Sequence, residues 1–286
     1  VKFIKPKLED LRHYFKVSIP LIVGQSIAVM DEQLFRVFGS MLSVGAIASF
    51  RYARRVAILP VGVMAQAVGV ASFPTMSHLF VKEKFDELKE LIRQQIAILY
   101  FLNLAIVLIL ITNNAEIISL VYERGEFNNN DVLRVSSIMS IVAFGILPWS
   151  LNQIVTRAFY VQTNYWYPVL VGTSSTILAT LIILNIESKS EISYAIIIIA
   201  SLFLYSLILL TTLKIDGEKI LNKDLINDLI FSSIIYFVTL GLLQFLPIGD
   251  LGKILYIITS VTIIALSFIV SVRVIKMKYV KINKVR

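Results

Sequence analysis

The sequence predicts an all-α polytopic membrane protein with eight transmembrane helices, and three observations carry that expectation. Of its 286 residues 57% are hydrophobic and 16% charged, and a mean hydropathy of +0.80 means more apolar side chain than one soluble core can enclose. The apolar residues fall in runs of about 18 to 25 divided by short polar breaks, the length at which a helix crosses roughly 30 Å of hydrocarbon. Segments such as "YAIIIIASLFLYSLILLTTL" are apolar all round, whereas the strands of a membrane barrel alternate in polarity.

In chain order, residues 1–16 read as a cytoplasmic amphipathic lead-in with no signal-peptide anatomy. The expected spans are then 17–38, 46–73 extending toward 79, 91–111, 132–160, 167–186 and 192–213, followed by the polar linker "KIDGEKILNKDLIND" at 214–228. Two further spans, 229–246 and 251–274, precede a basic tail at 275–286.

The cations set the orientation, because Lys and Arg near helix ends stay on the cytoplasmic side. Lys2, Lys5, Lys7, Arg12 and Lys16 precede the first span, Lys82, Lys84, Lys89 and Arg93 follow the second, and Lys214, Lys219 and Lys223 follow the sixth. The alternate loops carry Arg124, Arg134, Lys189 and Lys253, so both termini are expected in the cytoplasm. The net charge of +8 is thereby a topology signal, and no nucleic-acid partner is expected. The absence of cysteine excludes a disulfide framework or thiolate metal site. His13 and His78 fall near helix ends, and no metal-ligand spacing, phosphate loop or nucleophile elbow occurs. Catalytic residues, cofactors and a structural metal are therefore not expected.

Charges inside the spans need a reason. The first span carries "MDEQLFRVF", which places Asp31, Glu32 and Arg36 in or near the bilayer at about 2.5 to 3.5 kcal/mol each without a partner or water. Glu32 and Arg36 are four apart and can pair on one face. In "ASFRYARRVAILP", Arg51, Arg54 and Arg55 project over a fan of about 100°, roughly 8 to 14 Å below the outer helix end. Arg51 can snorkel to the surface, and Arg54 and Arg55 less comfortably. The four arginines exceed the two carboxylates, and the surplus asks for an anion; guanidinium forks grip a phosphate or diphosphate bidentately. The competing explanations are carboxylates from another part of the protein, or an aqueous vestibule.

Pro60 removes a backbone hydrogen bond and permits a hinge in the second helix. Beyond it, the pairs Ala65 with Gly69 and Ala67 with Ala71 allow close helix contact. Gln25, Gln66 and Asn103 are expected to hydrogen-bond between helices. The hydroxyls of "VGTSSTILAT" can bond their own helix backbone; a sodium ion between them and Asp31 is the further option, since hard cations take oxygen ligands.

Four stretches, "YARRVAILPVGV" at 52–63, "FPTMS" at 73–77, "YERGEF" at 122–127 and "RAFYVQ" at 157–162, occur in the order and at the separations of the MurJ (MviN) family, which the chain resembles throughout. Its members share the V-shaped fold of the MATE and MOP exporters and flip lipid II across the bacterial inner membrane. By that resemblance the eight spans are the seventh to fourteenth of fourteen, with the six-helix N-lobe absent. Residues 17–213 would be the C-lobe, and 229–274 two extra helices framing a groove for the polyprenyl tail. The resemblance implies that Arg55 faces the central cavity and engages the lipid diphosphate, helped by Arg54 and Arg51. Asp31, Glu32 and Arg36 would then tune those charges or hold a coupling Na+ or H+. The chain departs from the family's usual Tyr-Ala-Asp-Arg, since Arg54 stands where the aspartate is expected. It also lacks, on the fifth span, the Asn and Asp of a sodium site reported for some members.

The expected partners are lipid II, membrane lipids and an N-lobe. The alternatives are a flippase for another polyprenyl-linked glycan, a MATE-type antiporter, a membrane enzyme acting on polyprenyl phosphates, and a non-transporting lipid-binding scaffold. A cationic drug would be repelled by the arginine fan, and such an enzyme needs a base or metal carboxylates that the sequence does not group.

Overall fold

A computed structural model describes residues 12, 14–15, 18–20, 22–23, 30–187, 189–243, 258–264 and 266. The basic tail, Gln25, His13, residues 17, 21 and 24–29 of the first span, and most of the lead-in and of the span 251–274 lie outside the described residues.

The first described helix, α1 (Met30–Gly39), is joined by a tight turn to α2 (Ala46–Pro60). The turn closes on Gly45 at φ +91°, where an added Cβ would also meet a guanidinium nitrogen of Arg134 at 2.8 Å. Phe35 and Phe50 stack with centroids 3.9 Å apart, fixing α1 against α2. Helix α2 passes at Pro60 into a π-helical turn, Val61–Ala65, and on into α3 (Gln66–Val81). Pro60 has no N–H to give the preceding turn, and the chain answers with the wider winding rather than a break.

Next come α4 (Phe85–Thr112), the short α5 (Asn114–Tyr122) and α6 (Asn129–Val142). A 3-10 turn at Ala143–Gly145 leads into α7 (Ile146–Val161), followed by α8 (Trp166–Asn185) and α9 (Glu191–Thr212). A hairpin of β1 (Lys214–Ile215) and β2 (Glu218–Lys219) precedes α10 (Lys223–Leu243).

Six helices among the described residues are long and apolar enough to cross a membrane: 46–81, 85–112, 129–161, 166–185, 191–212 and 223–241. They coincide with the second to seventh expected spans. In the bundle α9 packs on α8, α7, α6 and α1, while α4 lies between α7 and α10. Its core is closed by Ile96, Leu99, Ile138, Met139, Ile154 and Tyr194. Lipid is as apolar as these side chains, so close fit rather than water exclusion holds such helices together. Gly69 shows the fit, for an added Cβ would lie 2.7 Å from a nitrogen of Arg157 and 3.1 Å from the carbonyl of Gln153 on α7.

Several expectations are corrected. Helices α4, α6 and α10 begin earlier than apolarity indicates, because their first turns are polar and capped or charged. Asn128 and Asp131 form a reciprocal capping box on α6, the Asn222 side chain accepts from the Leu225 N–H at 2.8 Å, and Asp86 and Glu87 occupy the first turn of α4. The "YERGEF" loop is preceded by the unanticipated α5. The polar linker opens with a hairpin that its polarity does not announce: Asp216 and Gly217 both take positive φ, 52° and 76°, the two-residue turn that Asp-Gly favours. Asn103 donates to the Leu99 carbonyl of its own helix, not to a neighbouring helix. Three hydroxyls of α8 bond their own helix backbone as expected, Thr173 to Val169, Ser174 to Leu170 and Thr180 to Thr176.

The hairpin is clamped to the start of α4. Lys89 Nζ, on a side chain 5% exposed, lies 2.8 Å from Asp86 Oδ1 and 2.6 Å from Glu218 Oε2. Arg93 donates to the carbonyls of Ile220 at 2.9 Å and Lys219 at 3.1 Å. Helix α10 then runs on along α4, where Tyr236 packs with Phe101, Ala105 and Leu108 and the Tyr100 and Ser233 hydroxyls meet at 2.9 Å. At the other end of the bundle Arg134 pairs with Glu191 and donates to the Val44 carbonyl at 2.8 Å and to Ser43 Oγ at 2.7 Å.

Candidate functional site

The three arginines of α2 divide between two faces. Phe50, Ala53, Arg54, Ala57 and Val61 form the buried stripe, at helical spacing, whereas Arg51 and Arg55 lie on the exposed side. Arg54 therefore points into the bundle, where its guanidinium carbon lies 5.4 Å from the ring centroid of Trp149 on α7. Its Nη1 donates to Glu32 Oε2 at 3.2 Å. The second oxygen of Glu32 faces Arg51 Nε at 3.6 Å. Glu32 thus reaches across from α1 to α2 and meets two cations there, where the sequence had offered Arg36 as its partner. Arg36 is exposed one turn further along α1. Asp31 lies on the same helix, and its side chain is outside the described residues.

These groups line a cavity of about 330 Å³ with Ala48, Arg51, Tyr52, Arg54, Arg55, Ile58 and Glu32 in its wall. Arg55 has no hydrogen-bond or carboxylate partner among the described residues. Among the described residues the recess thus brings together three guanidiniums, cationic forks that suit phosphate oxygens, and the carboxylate of Glu32.

Two of the sequence motifs meet beside this cavity. Tyr52 packs on Tyr122 at 4.8 Å and on Phe127 at 5.6 Å between centroids, so "YERGEF" braces the turn of α2 that carries the arginines. Burial holds the Tyr122 phenol above its ordinary pKa, against the opposing pull of the Arg55 charge. The "RAFY" arginine has a different use: Arg157 donates to the carbonyl and, at 2.8 Å, to the side-chain oxygen of Gln153, and lies against Gly69. Ala65 and Gly69 are buried at that contact, while Ala67 and Ala71 are exposed. Pro60 lies at the junction between the arginine-bearing turns and the π turn.

Trp149 is the site residue that the sequence did not disclose, since nothing in its own helix marks it as the platform for a cation on another. No group of three or more His, Cys, Asp or Glu that could hold a metal occurs among the described residues.

A bundle of long apolar helices, with a guanidinium-lined recess between the short α1 and the first of them, defines a polytopic membrane protein. The chain belongs to the lipid II flippase MurJ family, whose sequence model matches residues 2–274. It is 24% identical over 185 residues to the probable lipid II flippase MurJ of Treponema pallidum (strain Nichols), covering 63% of this chain and 35% of that protein. The protein of the same description from Helicobacter pylori (strain ATCC 700392 / 26695) is 29% identical over 157 residues, 54% of this chain and 33% of its own length. That of Rhizobium tropici is 30% identical over 152 residues, 53% of this chain and 26% of its own length. A solved structure, lipid II flippase MurJ in an inward closed conformation, superposes with a TM-score of 0.76 at 17% identity, over 97% of this chain and 57% of its own. That likeness shows the fold. The chain spans about a third of the curated relatives it matches.

Proposed function

We propose that this chain is the C-terminal part of a lipid II flippase, which carries the polyprenyl-diphosphate-linked peptidoglycan precursor from the cytoplasmic to the outer leaflet of the bacterial inner membrane by alternating access. The observation that carries the reading is the single cavity bearing Arg51, Arg54 and Arg55 with Glu32 as its described carboxylate. A diphosphate brings the charge that recess lacks. Arg55 is its first ligand, Arg51 its second, and Arg54, held by Trp149, keeps the field positive from behind. No bond is made or broken. The remaining lobe closes the path on the opposite side, both ends of this chain lie in the cytoplasm, and Asp31 with Glu32 offers oxygens to a coupling Na+ or H+.

The test is replacement of Arg55 in cells depleted of the native flippase. Arg55→Gln is expected to abolish growth and raise the pool of inner-leaflet lipid-linked precursor, while Arg55→Lys, a charge without a fork, supports growth partially. Normal growth and murein synthesis in an Arg54→Gln, Arg55→Gln double variant would sink the reading.

A further inference from the structure

The Glu32 carboxylate occupies the donors that an anionic headgroup would use. Its Oε2 accepts from Arg54 Nη1 at 3.2 Å, and its Oε1 lies 3.6 Å from Arg51 Nε, in the wall of the same cavity. The two contacts are unequal. Arg54 has a side chain 11% exposed and is backed by the Trp149 ring, whereas the Arg51 side chain is 60% exposed and its separation from Glu32 exceeds hydrogen-bond length. The Glu32 side chain itself is 31% exposed, so its Oε1 can give up the exposed Arg51 to water while its Oε2 stays on the buried Arg54.

We propose that Glu32 is an internal competitor of the phosphate-bearing substrate: it neutralises Arg51 when the cavity is empty and yields that arginine to the incoming diphosphate. This rests on the flippase reading and adds to it the residue that sets affinity. Arg54 is a fixed post that stays with Glu32, Arg55 is free to receive the anion, and Arg51 is exchanged. A carrier must release its cargo on the far side, and three unopposed guanidiniums in a confined space would hold a diphosphate too long. A carboxylate within reach of the same donors supplies the return path, because it re-forms its ion pair as the phosphate leaves.

The sign of one substitution separates competition from support. Glu32→Gln keeps an acceptor for Arg54 and removes the charge that opposes a phosphate. With the full chain in nanodiscs titrated with inorganic pyrophosphate, Glu32→Gln is expected to bind roughly tenfold more tightly than the parent, since a like charge near the ligand is gone. In an Arg51→Gln background the same change is expected to yield less than half that gain. A carboxylate that merely positions the arginines would give the reverse, weaker binding in Glu32→Gln with rescue by Glu32→Asp, and that result would overturn the proposal while leaving the flippase reading in place. Unchanged affinity would also overturn it. Failure of both proteins to bind pyrophosphate, with thermal unfolding showing both folded, would remove the phosphate reading and this inference together.

Discussion

The guanidinium of Arg54 is held between the ring of Trp149, 5.4 Å from its centroid, and Glu32, 3.2 Å from its Nη1. An arginine this buried, on a helix of a membrane bundle, is tolerable because it meets both a ring face and a carboxylate, groups that welcome positive charge. Trp149→Phe keeps a ring with a weaker negative face and is expected to cost about 1 kcal/mol, and Trp149→Leu about 2 to 3 kcal/mol. Thermal unfolding in nanodiscs checks the order; equal losses would mean that the ring face adds nothing at this position.

Lys89 is clasped by two carboxylates of unequal origin, Asp86 one turn away and Glu218 on the hairpin. Lys89→Met preserves the buried stem and removes the charge. Because Asp86 and Glu218 are 87% and 67% exposed, they rehydrate readily, and the expected loss is near 1 kcal/mol rather than that of a buried pair broken open. Limited trypsin digestion is the sharper readout, with cleavage after Lys214 and Lys219 expected to accelerate several-fold as the hairpin detaches.

Two glycines of the long helix predict opposite outcomes. At Gly69 a methyl group would press on Arg157 and on the backbone of Gln153, whereas at Gly62 nothing lies within 4 Å of an added Cβ. Gly69→Ala is expected to destabilise by about 1 to 3 kcal/mol through overpacking, while Gly62→Ala stays within about 0.5 kcal/mol of the parent. Melting temperatures of the two variants, measured side by side, decide this.

Arg134 gathers Glu191, Ser43 and the Val44 carbonyl around one fork. Arg134→Lys retains the charge but cannot reach three acceptors at once, and a loss of about 1 to 2 kcal/mol is expected. The loosening is local, so amide exchange at residues 41–46 should speed up while the core of α7 stays protected.

The span pattern is legible because bilayer thickness imposes its length on the sequence, and the apolar body of each of 46–81, 85–112, 129–161, 166–185, 191–212 and 223–241 follows from a hydrophobic run. What apolarity cannot show is a helix that begins in water: "FDELKE" and "KDLIND" are helical turns that read as loop on hydropathy alone. The Asp216-Gly217 pair did carry a hairpin signal, obscured by the charges around it. At the site, helical spacing put the three arginines on one fan, but it could not tell which of them faced the bundle. That depends on Trp149 and Glu32, brought there by the packing of other helices. The partner of Glu32 is hidden for the same reason, since proximity along one helix favours Arg36 and proximity across two favours Arg51 and Arg54.

The π turn at Val61–Ala65 houses one residue beyond the ordinary winding, and each residue advances an α-helix by about 100°. The guanidinium half of the 46–81 rod is thereby swung more than a quarter circle from the azimuth that an unbroken spiral would give it relative to the half containing Gly69. A wheel diagram drawn through the whole rod misassigns its stripes on one side of Pro60. Rewinding that turn as ordinary α-helix with all of its residues kept would redirect every arginine around the bundle, whereas excising one residue would leave them where they are, so the aim of the charges is encoded by a count as much as by their identity.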